Sequence, residues 1–211
     1  MKILSHRGFW NAAAEKNTAI AFERSFLNGF GTETDIRDYK VELVIAHDIA
    51  DGTNISLKTF FELYKRFNDS LFLALNIKAS GLQKKLRILL EQYRIKNYFV
   101  FDMSVPDALQ YLKLDIVSFT RESEYEINPS CYERAAGVWL DEFHSPWVDK
   151  KTIKNHLKYM KTICIASSDL HGREYLEDWK RFKHIESDLN IDNLMLCTDH
   201  PQKARSFFHE I

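Results

Sequence analysis

The sequence predicts an α/β protein, a compact (β/α)8 TIM barrel forming one domain over residues 1–211, on three observations. Short apolar runs alternate with longer amphipathic segments along the whole chain, eight such runs can be counted, and polar residues follow the runs where loops would begin. Strands alternating with helices build a parallel sheet, and eight units close most simply into a barrel.

The first run, at 2–5, leads into His6, and the second, at 31–36, carries Gly31-Thr32-Glu33-Thr34-Asp35. Later runs fall near 71–77, 97–101, 114–119, 137–143, 161–166 and 193–198. Helices are expected at 18–28, 56–67, 82–93, 105–112, 150–160, 172–183 and 201–209, with a short piece around 122–134. Leu57, Phe60, Phe61 and Tyr64 show the three-and-four spacing of a helix packed on a sheet. Thr18 and Ser56 are expected N-caps, and Pro201 suits a first helical turn, where its missing N–H costs nothing.

A chain of 211 residues with 45% hydrophobic content can bury one substantial core. Its net charge of −1 argues against non-specific nucleic-acid binding, which needs a basic face. No run of 18 apolar residues suggests a membrane span. Met1 leads straight into the first strand, so a cytoplasmic location is expected. Cys131, Cys164 and Cys197 are widely spaced and odd in number, which reads as reduced thiols, not a disulfide frame or zinc site.

The chemistry-bearing residues gather at strand ends: His6-Arg7-Gly8, Glu33-Thr34-Asp35 and, after the run 43–46, His47-Asp48. Alternate side chains of a strand share a face, so Glu33 and Asp35 present two hard oxygen ligands side by side, suited to Mg²⁺ or Ca²⁺. Cleaving a phosphodiester takes a cation at the phosphoryl oxygens, a proton acceptor and a proton donor. Each residue alone also has an ordinary structural explanation: surface strands often carry such acid pairs, a histidine can sit satisfied in a core, and arginine forms surface salt bridges.

Four stretches in order within about 45 residues, SHRG, EKNTAIAF, ETDIRD and VIAHD, resemble the glycerophosphodiester phosphodiesterase family. The resemblance implies a phosphoric diester hydrolase of the kind found in lipid metabolism, acting on a small-molecule phosphodiester. It implies that His6 and His47 act as acid and base, that Glu33 and Asp35 bind a divalent metal, and that Arg7 grips phosphate. A planar guanidinium meets two phosphate oxygens at once. The family's next strand ends in Glu-x-Lys. This chain reads Asn76-Ile77-Lys78, so Lys78 is expected at the phosphate and Asn76 in the metal site, with about two ligand charges instead of three.

Other departures bear on substrate. Lys16 stands where the family has a glutamate, with Glu15 adjacent as a substitute, and Asn17 follows as a possible substrate contact. Only about 28 residues separate Asp48 from Asn76, where the family commonly inserts a small subdomain, so this would be a short member. The strand-seven tryptophan motif is missing, and Trp10 or Trp147 is expected to supply an aromatic surface in its place. Asp102, Arg121 and Asp141 follow later strands and are candidate substrate contacts. Two other readings stand beside this one: a catalytically degenerate barrel that binds a phosphorylated ligand, and a sugar-phosphate isomerase or aldolase using Lys78 as a Schiff-base lysine.

Overall fold

The structure is a computed structural model that describes residues 1–67 and 70–209. Eight parallel strands form the barrel: β1 (Lys2–His6), β2 (Gly31–Tyr39), β4 (Leu73–Ile77), β5 (Tyr98–Phe101), β6 (Phe119–Ser123), β7 (Gly137–Asp141), β8 (Thr162–Ala166) and β9 (Met195–Thr198). β3 (Glu42–Ile45) is a ninth, antiparallel strand that folds back on the long end of β2. Around the barrel the order is β5-β4-β2-β1-β9-β8-β7-β6. The remaining seam closes through a single parallel bridge between Val100 and Ser118, with Val100 N–H donating to the Val117 carbonyl at 2.9 Å. The expected (β/α)8 TIM barrel is therefore the fold.

Helices α1 (Ala19–Leu27), α2 (Leu57–Arg66), α3 (Gln83–Gln92), α4 (Val105–Lys113), α5 (Lys150–Lys158), α6 (Leu176–Leu189) and α7 (Pro201–His209) cover the outside. The spacing in α2 has its expected result: Leu57, Phe60, Phe61 and Tyr64 are all buried. Each such side chain removed from water contributes roughly 1.5–3 kcal/mol before ordering costs. Ser56 caps α2 by accepting from Thr59 N–H. Thr18 makes no such cap; its hydroxyl donates to the Glu15 carbonyl instead.

Three other expectations need correction. The strand expected at 114–119 lies at 119–123, because α4 runs on to Lys113 with Leu114 as its C-cap, and the chain leaves it through Asp115 at a left-handed φ of 53°. The sixth helix runs over 176–189, after a tight 3-10 turn at Ser168–His171. No helix forms in 122–134; that segment crosses from β6 to β7 as turns.

Inside the barrel the residue alternation of each strand separates two regimes. Lower positions are apolar: Leu4, Ala74, Phe99, Phe119, Cys164 and Met195 form a closed interior cluster. Phe99 stacks on Phe119 at 3.8 Å, and Phe101 stacks on Trp139 at 4.2 Å. Gly137 makes room for this packing, since a Cβ there would fall 2.4 Å from the Phe119 ring. Two or four residues further along the same faces stand His6, Glu33, Asp35, Asn76, Lys78, Arg121, Asp141 and Asp199, toward the C-terminal ends of the strands. The apolar layer below them is the floor of the mouth.

Candidate active site

The chain leaves β1 sharply. Arg7 has φ 56° and Gly8 φ 86°, and Arg7 N–H donates to the Glu33 carbonyl at 2.9 Å. A Cβ on Gly8 would lie 2.7 Å from the Ala21 Cβ, so the third position of the motif admits only glycine without movement. The turn lets His6 face into the barrel mouth while Arg7 reaches sideways over β2.

His6 Nδ1 is 2.7 Å from Asp199 Oδ1, and its Nε2 is 3.8 Å from Glu33 Oε2. Asp199 is an acceptor, so the ring proton belongs on Nδ1 and the Nε2 lone pair faces the acids. Burial lowers the His6 pKa, against the opposing pull of Asp199, and Arg7 and Lys16 lower it further. Asp199 is itself placed by its backbone N–H, which donates to Asp169 at 2.7 Å, and paired to Lys16 at 3.2 Å. Burial would raise the Asp199 carboxyl, but His6 and Lys16 outweigh it and hold it low.

Asp35 is fully buried and carries the densest pairing. Arg7 Nε lies 3.0 Å from its Oδ2, Asn17 Nδ2 donates to the same oxygen at 2.8 Å, and Lys78 Nζ lies 3.4 Å from Oδ1. Asn17 is held by Thr34, whose hydroxyl donates to it at 2.9 Å. Glu33, 2% exposed, has its pKa raised well above the ordinary carboxyl range by burial first and by Asp35 second, with Arg7 and Lys78 opposing. A cation arriving beside Glu33 would favour its ionised form.

Asn76 stands opposite Asp35 in the β2–β4 register. It is buried, and its side-chain oxygen has no hydrogen-bond partner, as is true of Asp35 Oδ1. Among the described residues no group of three or more His, Cys, Asp or Glu is placed to hold a metal ion. The set that does converge is two carboxylates and an amide oxygen, Glu33, Asp35 and Asn76. Hard oxygens, two of them buried without a hydrogen-bond partner, fit the donor chemistry of Mg²⁺ or Ca²⁺.

His47 is less engaged than His6. It is 44% exposed, its Nδ1 is 2.9 Å from Asp48 Oδ1, and Arg37 donates to its carbonyl at 3.2 Å. It stands on the wall of an open pocket of about 380 Å³ that also includes Arg7, Lys16 and Asn17. Asp102, Arg121 and Asp141 form one connected group across the mouth. Arg121 bonds Asp102 closely and lies 3.7 Å from Asp141, and Asp141 accepts from His171 at 2.6 Å. Burial raises the Asp102 carboxyl, partly offset by Arg121, Lys78 and a hydrogen bond with Asn76.

Glu15 does not stand in for the missing glutamate; it turns away to pair with Arg24 at 2.8 Å. Lys16 takes that place with the opposite charge, lying over the Trp10 ring at 4.4 Å. Trp10 also donates to the His6 carbonyl at 3.2 Å, so it does border the site. Trp147 instead ties down β7 by donating to the Asp141 carbonyl at 3.1 Å. His171 and Asp199 lie in the polar stretches after the last two strands, where inward-facing groups are expected, but the pairing of Asp199 with His6 and the place of Lys16 in the mouth are not read from the sequence. All three are charged or titratable groups just after predicted strands or turns, but nothing local in the sequence shows which of them reach inward. Cys164 and Cys197 are buried and Cys131 half-buried, all as free thiols.

No protein-family model matches the chain, and no curated protein matches it by sequence. Solved structures do match over almost the full length. A candidate glycerophosphodiester phosphodiesterase from Galdieria sulphuraria aligns with TM-score 0.76 at 20% identity, covering 98% of this chain and 97% of its own. A glycerophosphodiester phosphodiesterase from Agrobacterium tumefaciens aligns with TM-score 0.72 at 14% identity, covering 98% of each chain. An Oleispira antarctica phosphodiesterase, solved with the product sn-glycerol-3-phosphate, aligns with TM-score 0.69 at 14% identity, covering 98% of this chain and 96% of its own. The chain has the fold of the glycerophosphodiester phosphodiesterases.

Proposed function

We propose that this protein is a metal-dependent phosphodiesterase that hydrolyses a glycerophosphodiester-like or other alcohol phosphodiester. The observation that carries the reading is the convergence, in one barrel mouth, of the His6–Asp199 pair with Arg7, Lys78 and the Glu33–Asp35–Asn76 oxygens. Matching folds that bear this activity, one of them with a bound phosphorylated product, support it.

In this reading Arg7 and Lys78, both already beside Asp35, bind the phosphoryl oxygens and orient the diester. Glu33, Asp35 and Asn76 would hold Mg²⁺ or Ca²⁺, which supplies charge stabilisation at a phosphoryl oxygen when bound. His6 and His47 share proton transfer. The Asp199 bond leaves the His6 Nε2 lone pair facing inward, which favours His6 as the acceptor and gives His47, on the open rim, the leaving alkoxide. Asn17, Asp102, Arg121 and Asp141 are the candidate contacts to substrate. Lys78 serves here as a charge partner of Asp35; a Schiff-base role would leave the His6–Asp199 pair idle.

The test is hydrolysis of bis(p-nitrophenyl) phosphate and of glycerophosphodiesters with Mg²⁺, Ca²⁺ or chelator. Divalent-dependent turnover that falls by about 10²–10⁴ in His6→Ala and in His47→Ala supports the reading; wild-type turnover in His6→Ala ends it. Asn76 in place of a carboxylate favours one second reading, a degenerate barrel that binds a phosphorylated ligand without cleaving it. Saturable binding of sn-glycerol-3-phosphate with no turnover under any divalent ion would select that reading.

A further inference from the structure

β6 passes into β7 without a helix, which leaves one flank of the barrel uncovered by secondary structure. The connecting segment is nevertheless held in place. Glu124 accepts from the backbone N–H groups of Phe143, His144 and Ser145 at 3.0–3.2 Å. The Thr120 hydroxyl donates to the Ser130 carbonyl at 2.8 Å, and Lys161 donates to the carbonyls of Glu133 and Ala135 at 3.2 and 2.7 Å. Pinned this way, the segment stands off from α4 and leaves a pocket of about 390 Å³ that begins at Lys78 and Asp102 in the barrel mouth.

The two walls differ in chemistry. Met103, Val105 and Ala108 line the α4 side; Thr120, Arg121 and Glu126 line the other. Arg121 is already shared among Asp102, Glu126 at 3.9 Å and Asp141 at 3.7 Å, three carboxylates around one guanidinium. An anion is therefore poorly received beyond Lys78, whereas hydroxyl donors meet spare carboxylate oxygens. The volume lies within the range of small-molecule sites, about 300–1,000 Å³, and a two-carbon amino alcohol would leave most of it empty.

We propose that this pocket seats one alcohol of the diester, and that this alcohol is a polyhydroxylated six-membered ring, a sugar or cyclitol. Its C–H face rests on the α4 wall, its hydroxyls meet Asp102 and Glu126, and its phosphate sits at Lys78. The assignment rests on the phosphodiesterase reading and narrows it.

The experiment compares steady-state hydrolysis of glycerophospho-myo-inositol and glycerophosphoethanolamine by wild type, Ala108→Trp and Glu126→Ala. Wild type is expected to favour the inositol diester at least tenfold in kcat/KM. Ala108→Trp fills the pocket, and Glu126→Ala removes an exposed carboxylate 3.9 Å from Arg121; each should cut that ratio at least fivefold. Equal kcat/KM for the two diesters in wild type, or a ratio unmoved in both variants, overturns the assignment. If neither diester nor bis(p-nitrophenyl) phosphate is hydrolysed, the phosphodiesterase reading has failed. The pocket is then read by NMR titration with free myo-inositol. Saturable shifts of the Met103 methyl, lost in Ala108→Trp, uphold it, and no shift overturns it.

Discussion

Asp199 Oδ1 lies 2.7 Å from His6 Nδ1, joining two residues 193 positions apart at the ends of adjacent strands. That bond fixes the imidazole tautomer and turns Nε2 toward the acids. Asp199→Asn is expected to lower kcat by roughly ten- to a hundredfold, the usual cost of losing a carboxylate behind a functional histidine. The carboxylate raises the His6 pKa against its burial. Its loss lets that pKa fall further, so the acidic limb of the kcat/KM profile should move to lower pH. A profile that keeps its wild-type midpoint would contradict the pairing.

Asn76→Asp restores a third carboxylate opposite Asp35. Without divalent ion the variant is expected to melt below wild type, because a third acid is buried opposite Asp35 and near Glu33, whose ionisation burial already disfavours. With excess Mg²⁺ or Ca²⁺ it should gain more in Tm than wild type does, since a ligand that binds only the folded state stabilises in proportion to its affinity. Thermal melts with metal and with EDTA measure both arms.

Gly8→Ala is expected to destabilise by about 2–4 kcal/mol, combining left-handed strain with an overpacked contact. The Ala21 Cβ and carbonyl carbon, in the first turn of α1, stand in its way at 2.7 and 2.9 Å. Urea unfolding gives the magnitude. Turnover of the remaining folded fraction should also fall, because the same turn aims Arg7 and His6.

Glu124 has its pKa depressed to about 2: burial would raise it, but the three amides it accepts from outweigh that. A depressed carboxyl contributes stability above its ordinary pKa and loses it as pH falls through the folded value. Glu124→Gln should therefore cost about 1–2 kcal/mol above pH 5, with the difference from wild type closing as pH drops toward 2. Denaturant midpoints measured at three pH values across that window decide it.

The sequence by itself determined the barrel and the roster of chemistry. Alternating apolar runs and amphipathic segments are local signals, and the spacing of Glu33 and Asp35 is a one-strand geometry that needs no partner. The hairpin strand β3 was visible only as the apolar run before His47, and the missing helix after β6 had one local sign, Asn128-Pro129-Ser130 in the middle of the segment. Pro129, in the middle of 122–134, lacks the N–H a helix interior needs, and Cys131 turns left-handed at φ 63°, so the stretch does not coil; bonds to Lys161, to the 143–145 amides and to His156 then hold it as turns.

Tertiary structure decided which candidates meet. Asp199 is a carboxylate like twenty-nine other acidic residues until β9 is laid beside β1, and Glu15 could stand in for the family's glutamate beside Lys16 until the turn sent Glu15 to Arg24 and Lys16 to Asp199. Pairing across strands depends on register, and register is set by the whole closed sheet. The chain's own spelling names its reactive groups, and only barrel closure brings them within reach of one another.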